Sequence, residues 1–212
     1  MKSKFVKKFN HDSIAVEYDE DVKNENNPIR TGYSSLLLWV NTKTQGSEKI
    51  IDLGCGTGNT VNSLSGNFSK IICVDISENM INIAKEKLKK RENIFFIKND
   101  LLQFFDEYKE NDIDTIVSTY AIHHLTQDEK HKLFEKIYNF LPKGGKIIFG
   151  DLMFKNRGYE YDMRLKYPNL IEDFDDELYW YLDDELNELK KLGFNVEIKQ
   201  FSDLSFGIYG EK

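Results

Sequence analysis

The chain is most constrained by residues 50–59. Ile50-Ile51-Asp52-Leu53 is an apolar, β-branched run that ends around an acid and enters a loop with glycines at alternate positions, Gly54, Gly56 and Gly58. A residue without a Cβ lets a loop turn tightly and lets a ligand approach the backbone. A second apolar run, Lys70-Ile71-Ile72-Cys73-Val74, ends in another acid, Asp75, about 20 residues past the turn. A glycine turn after one strand and an acid ending the next is how an open α/β sheet holds a nucleoside. Backbone amides serve the turn and the carboxylate takes the ribose hydroxyls. A dinucleotide fingerprint needs its third glycine three places after the second. Asn59 stands there, and Gly58 comes one place early. The spacing therefore argues against a nicotinamide oxidoreductase.

The pattern around this loop alternates strand and helix. Strands are expected at 49–53, 70–75, 94–97, 113–118 and 145–150, each short and apolar as buried parallel strands are. Ser77 caps a helix carrying Met80, Ile83, Ala84 and Leu88 on one face. Thr126 to Glu129 reads as a capping box ahead of Leu133, Phe134, Ile137, Tyr138 and Leu141. Pro142-Lys143-Gly144-Gly145 ends that helix. Parallel strands need crossover helices, so the alternation implies a doubly wound sheet. Two regions stand outside it. Residues 1–45 read as a helical cap, and residues 152–182 are rich in aromatics and acids. A helix from about Asp183 to Leu192, stopped by Gly193, and a hairpin over 194–209 close the chain. The expected organisation is one domain over 1–212: cap 1–45, core 46–151, insertion 152–182, closing helix and hairpin 183–212.

Charge and cysteine count narrow the function classes. The formal net charge is −7 over 212 residues, with lysines interleaved among acids. That argues against a nucleic-acid partner, which calls for a basic face. Cys55 and Cys73 give neither a disulfide framework nor zinc spacing. The basic start, Met1 to Lys8, lacks the apolar stretch of a signal peptide. No run reaches the roughly 20 apolar residues of a membrane span. A cytoplasmic protein that makes no use of a membrane is expected.

With these pieces placed, the chain resembles the class I S-adenosylmethionine (AdoMet) methyltransferases, most closely the YrrT-like bacterial group. The resemblance rests on Asp52-x-Gly54-x-Gly56-x-Gly58-Asn59, on Asn99-Asp100-Leu101-Leu102, and on Val117-Ser118-Thr119-Tyr120-Ala121-Ile122-His123-His124-Leu125-Thr126. Ala15-x-x-Tyr18-Asp19 and Lys143 to Phe149 also match. The resemblance implies a Rossmann-like α/β fold, doubly wound, with a seven-stranded, mostly parallel sheet whose last strand is antiparallel. It implies AdoMet as cofactor and S-adenosylhomocysteine (AdoHcy) as product, but not the acceptor.

The resemblance also suggests roles. Gly54, Cys55, Gly56 and Gly58 would wrap the methionine half of AdoMet, with Asp52 beneath, near its amino group. Asp75 would take the ribose hydroxyls, or else serve as the negative charge at a helix N-terminus. Asp100 would accept from the adenine amino group, or act as a loop or cap aspartate. Ile76, Met80 and Leu101 would sandwich the adenine, or belong to the core. Thr119, ending the fourth strand, completes the set. Arg30 would pair with the AdoMet carboxylate, and Tyr18 or Tyr33 would close over the sulfonium. The bland alternative is that these tyrosines pack the cap helices and that Arg30 is solvated.

The catalytic candidates are His123, His124 and Tyr18. Both histidines close the fourth strand, at the carboxyl edge where open sheets bind ligands. A histidine there can take a proton from a nucleophile near neutral pH. On an extended chain adjacent side chains point opposite ways, so one ring is expected in the cleft, with His123 the marginal choice. No third ligand stands at useful spacing, so no metal site is expected. The leading function is AdoMet-dependent methyl transfer to a small molecule. The alternatives are a non-catalytic AdoMet- or partner-binding protein, and an RNA methyltransferase.

Overall fold

In a computed structural model, which describes residues 3, 4, 15–110 and 112–212, the chain forms a three-layer α/β fold. The expected helical cap over residues 5–14 lies outside the described residues. What is described begins with a short helix α1 (Tyr18–Asp21) and then α2 (Tyr33–Lys43). The alternating core follows: β1 (Lys49–Leu53), α3 (Asn59–Ser63), β2 (Lys70–Asp75), α4 (Glu78–Leu88), β3 (Ile94–Lys98), α5 (Leu101–Glu107) and β4 (Thr115–Thr119). A 3-10 turn, Ile122–His124, leads to α6 (Gln127–Phe140) and β5 (Lys146–Phe154). The insertion carries α7 (Arg157–Lys166), α8 (Ile171–Asp176) and a two-residue β6 (Trp180–Tyr181). The chain closes with α9 (Leu182–Leu192), β7 (Asn195–Gln200) and β8 (Ser205–Glu211).

The sheet runs β3-β2-β1-β4-β5-β8-β7, with β8 antiparallel to both of its neighbours. The doubly wound expectation therefore holds, and so does the antiparallel last strand. The added strand β6 lies parallel beside the end of β5, Met153 opposite Trp180. β5 extends four residues past its expected end at 150, because β8 pairs with it as far as Leu152 and β6 takes over at Met153. The expected insertion therefore begins as sheet.

Alternation along the strands feeds two cores. Ile50, Ile71, Cys73, Val117 and Ile148 face Leu36, Trp39 and Val40 of α2. Ile51, Ile72, Ile116, Ile147 and Phe149 face Leu102 and Phe104 of α5, Leu133, Phe134 and Ile137 of α6, and Leu189 of α9. Each such side chain, fully buried, contributes roughly 1.5–3 kcal/mol. Both expected caps are present. Met80 N donates to Ser77 Oγ at 3.0 Å, and Thr126 with Glu129 forms the reciprocal box.

The order of strands reverses between β1 and β4. Their carboxyl ends therefore diverge into a crevice, the place where open α/β sheets bind ligands. Among the described residues no helix is long and apolar enough to cross a membrane.

Candidate active site

The crevice floor is the glycine loop. Gly54 N and Cys55 N both donate to Val74 O, at 2.8 and 3.0 Å, which folds the loop over the end of β2. Gly54 lies at φ 72°, and a Cβ there would overlap the Cβ of Ala121. Gly56 lies at φ 52°, and no described residue comes within 4 Å of where a Cβ would stand. One glycine thus lets two segments touch, and the other leaves open space above the loop. Gly54→Ala is expected to cost several kcal/mol of stability, read as a lower denaturation midpoint, through clash and left-handed strain. Gly56→Ala should fold with a loss of only about 1–2 kcal/mol, while its methyl group occupies the ligand's space. Gly58 starts α3, and its N–H donates to Cys55 O at 2.9 Å.

Three acids border this floor. Asp75 fastens the loop to the next helix: Oδ2 accepts from Gly56 N and Oδ1 from Ser77 N, each at 2.8 Å. Asp100 caps α5, with Oδ1 accepting from Leu102 N, while Oδ2 accepts from Ser3 N and Oγ. Asp52 is fully buried, and neither of its carboxylate oxygens has a hydrogen-bond partner. Burial, with the charge of Asp75 adding to it, pushes its pKa up to about 8. Ile76 is half-buried after β2, Met80 is buried on α4, and Leu101 is half-buried at the start of α5. Thr119, at the end of β4, shares a short hydroxyl contact with Thr60. Cys55 is buried against Cys73, and that contact, with desolvation, holds its thiol well above the ordinary range.

The cap lies over the same crevice. Asp75 and Asp151 both act electrostatically on Tyr18, whose burial raises its hydroxyl pKa to about 12. Tyr33 packs on Tyr120 with ring centroids 5.2 Å apart. The Arg30 guanidinium is held by Asp21, with Nη2 to Oδ2 at 2.6 Å, and sits 5.9 Å from the rings of both Tyr18 and Tyr120. The side chain expected to meet a ligand carboxylate thus has a partner within the cap. A clamp that spacing did not reveal joins α1 to the loop. Asp19 Oδ1 accepts from Thr57 Oγ1 at 2.5 Å and from Asn59 Nδ2 at 3.0 Å, and Lys87 Nζ lies 2.6 Å from Asp19 Oδ2.

The histidines differ most from expectation. Tyr120 takes φ 49°, an uncommon backbone for a side chain of its size, and the chain then enters the 3-10 turn. Successive residues of a tight helix do not alternate, so His123 and His124 fall side by side, with ring centroids 4.0 Å apart. His123 is buried. Its Nδ1 makes a short contact with Asp151 Oδ1, and its backbone N donates to Asp151 Oδ2 at 3.0 Å. Trp180 Nε1 also donates to Oδ2, at 3.1 Å, and Leu152 N to Oδ1, at 2.8 Å. Glu177 Oε2 lies 3.1 Å from His124 Nδ1 and 3.8 Å from His123 Nε2. The expectation that no third potential metal ligand accompanies the two histidines is therefore corrected. Glu177 supplies one from the insertion, more than 50 residues away, where spacing cannot show it.

Comparison with known proteins accords with this geometry. A family model described as a methyltransferase domain matches residues 50–145. A Geobacillus sp. (strain WCH70) protein named as an uncharacterized methyltransferase is 32% identical over 195 residues, 90% of this chain and 87% of that protein. The chain belongs to this methyltransferase family. Two solved structures share the fold at low identity. A DhpI complex with SAM and HEP has a TM-score of 0.71 at 18% identity, covering 95% of this chain and 94% of that one. NodS from Bradyrhizobium japonicum WM9 with S-adenosyl-L-homocysteine has a TM-score of 0.68 at 14% identity, covering 96% and 98%.

The residues present fit AdoMet, the methyl donor that the resemblance in sequence implies. The space above Gly56 is open, Asp52 is a buried carboxylate without a partner, and Asp75 stands at the end of β2. Sequence reasoning gave no role to Asp19 or Tyr120, which it quoted only as matching residues, nor to Asp151, Glu177 and Lys87. Asp151, an acid following the fifth apolar run, carried a signal open to strand-end reasoning.

Proposed function

We propose that this methyltransferase acts on a small-molecule acceptor in the cytoplasm, with the acceptor's nucleophile seated between the glycine loop and His123. The observation that carries the reading is the Asp151–His123 pair on the turn after β4, whose Ala121 meets Gly54 of the glycine loop at the β1/β4 crevice. When bound, AdoMet supplies a methyl group on a sulfonium, a leaving group already activated for in-line displacement. The protein's work is then to orient the acceptor, exclude water and remove a proton.

Asp52 would face the amino group and Asp75 the ribose hydroxyls. A carboxylate oxygen that accepts one backbone N–H keeps a second lone pair for such a contact. Asp100 would serve the adenine edge, with Ile76, Met80 and Leu101 against its faces. Gly54, Cys55, Gly58 and Thr119 would shape the methionine channel. Tyr18 and Tyr33 would lie over the sulfonium, where an aromatic face favours a cation. Arg30, bound to Asp21, would hold these rings in place. His123, with Nδ1 given to Asp151, presents the lone pair of Nε2 for the acceptor's proton, and His124 borders the same space.

A small acceptor is supported by the net charge of −7 and by the clamp that holds α1 against the glycine loop. The test is AdoHcy binding by calorimetry, followed by AdoHcy formation with metabolite fractions against RNA. Micromolar AdoHcy binding and turnover on metabolites are expected. No binding at millimolar AdoHcy would overturn the cofactor site, and turnover on RNA alone would overturn the acceptor class. Asp75→Ala is expected to weaken AdoHcy binding by about 1–3 kcal/mol, the scale for losing charge-assisted hydrogen bonds.

A further inference from the structure

We propose that His123, His124 and Glu177 form a binding site for a divalent transition-metal ion, Zn²⁺ or a similar ion, at the edge of the methyl-transfer cleft. The donor atoms of all three lie within 4.8 Å of one another. Glu177 Oε2 is 3.1 Å from His124 Nδ1 and 3.8 Å from His123 Nε2. Donors on one zinc ion, each bonded at about 2.0–2.2 Å, stand roughly 3–3.5 Å apart. The Glu177–His124 separation already falls in that range, and the Glu177–His123 separation lies just above it.

The donor set is mixed. With Asp151 at its Nδ1, the His123 ring turns Nε2 toward the Glu177 carboxylate, at 3.8 Å. A two-histidine, one-carboxylate set is a donor combination suited to zinc and other borderline divalent ions.

The surroundings hold these donors still. A metal-bound imidazole ordinarily gives its other N–H to a carboxylate, and Asp151 stands there already. Asp151 is itself fixed by the N–H groups of His123, Leu152 and Trp180. The segment bearing Glu177 is pinned at its neighbour: Leu178 N donates to His123 O at 3.1 Å, and Leu178 O accepts from the buried Lys130 Nζ at 2.5 Å. A site supported in this way is preorganised for its ion.

Three protein donors leave open positions on the ion. An acceptor hydroxyl bound there would release its proton to solvent near neutral pH, and its oxygen would take the methyl group as the S–CH3 bond breaks and AdoHcy leaves, so the site selects oxygen-bearing acceptors. This last step rests on the methyl-transfer reading; the ion site does not. With an ion present, Nε2 is a ligand and the ion lowers the hydroxyl's pKa. Without one, Nε2 takes the proton itself.

The experiment is equilibrium dialysis of the chelator-treated full chain against Zn²⁺, with Co²⁺ absorption as a report of coordination. About one ion per chain is expected, with visible bands of low-coordinate Co²⁺. Glu177→Gln and His124→Asn should each weaken binding by at least about tenfold and alter the Co²⁺ spectrum. His131→Asn, on α6 beside Glu185, should change neither. AdoHcy calorimetry on each variant confirms that the fold persists. No stoichiometric uptake, or equal affinity in wild type and both ligand variants, would overturn the site. AdoHcy binding without metal uptake would remove this proposal alone, and metal uptake without AdoHcy binding would remove the methyl-transfer reading alone.

Discussion

His123→Asn is expected to lower kcat by about 10²–10⁴-fold, the range spanned by a positioned proton acceptor, while AdoHcy affinity stays within about twofold. The split follows from where the residue stands. His123 sits on the turn after β4, and its ring contacts Asp151, His124 and Glu177 rather than the glycine loop. Nothing the cofactor needs is removed by the substitution. Asn retains a side-chain N–H for Asp151, so the buried carboxylate keeps a donor and the fold should survive. Asp151→Asn tests the same pair from the other side. It turns an acceptor into a group that can donate, frees the ring to take the wrong tautomer, and should lower kcat with KM for AdoMet little changed. Steady-state kinetics on an identified acceptor, paired with AdoHcy calorimetry, reads both. Full turnover in His123→Asn would leave orientation alone to account for catalysis.

The part of this site that lies near in sequence was legible, and the part brought together by folding was not. Strand ends carry Asp52, Asp75 and Thr119, and strands announce themselves by short apolar runs, so these three positions could be located by counting. The glycine loop needed no distant partner for its own reading. The histidine half depends on a local backbone choice. Tyr120 at positive φ and the 3-10 turn after it replace the extended chain that alternation assumes, and both rings end on one side. No propensity rule predicts a tyrosine there, because the conformation is held by tertiary contacts: Tyr120 N donates to Gly150 O at 2.8 Å, and its hydroxyl to Ser205 Oγ at 3.1 Å. Glu177 belonged to a charge run that reads equally well as a solvated surface.

The aromatic insertion shows the same division. Trp180 is fully buried and serves Asp151, while Phe154, Phe174 and Tyr179 pack on one another with centroids 5.0–5.6 Å apart. These rings form the base on which Glu177 is presented. Tyr161 and Leu165 of α7 remain exposed. A composition argument sees the rings but cannot sort them between core and cleft, because that depends on the β5–β6 pairing.

Asp52→Asn is expected to remove a pH dependence from both stability and cofactor binding. In the fold the Asp52 carboxyl, buried and without a partner, keeps its proton up to about pH 8. In the unfolded chain it ionises near 3.9. Between these values the folded state holds one more proton than the unfolded, so stability falls as pH rises, by at most about 1.4 kcal/mol per pH unit. Above about pH 8 both states are ionised and the slope ends. Asn carries no such proton, so the variant should be the more stable protein at pH 8 and show little advantage at pH 4, read from urea midpoints at both. Ligand binding runs the other way. An ammonium group brought against Asp52 favours the carboxylate, so near pH 7 AdoHcy should expel nearly one proton and bind up to about tenfold more tightly per pH unit up to pH 8. Calorimetry in buffers of different ionisation enthalpy reads that proton directly. Asp52→Asn should release none, with weaker binding at pH 8. Identical heats for the wild type in every buffer would place the amino group of the ligand elsewhere and leave the buried carboxyl without a role in binding.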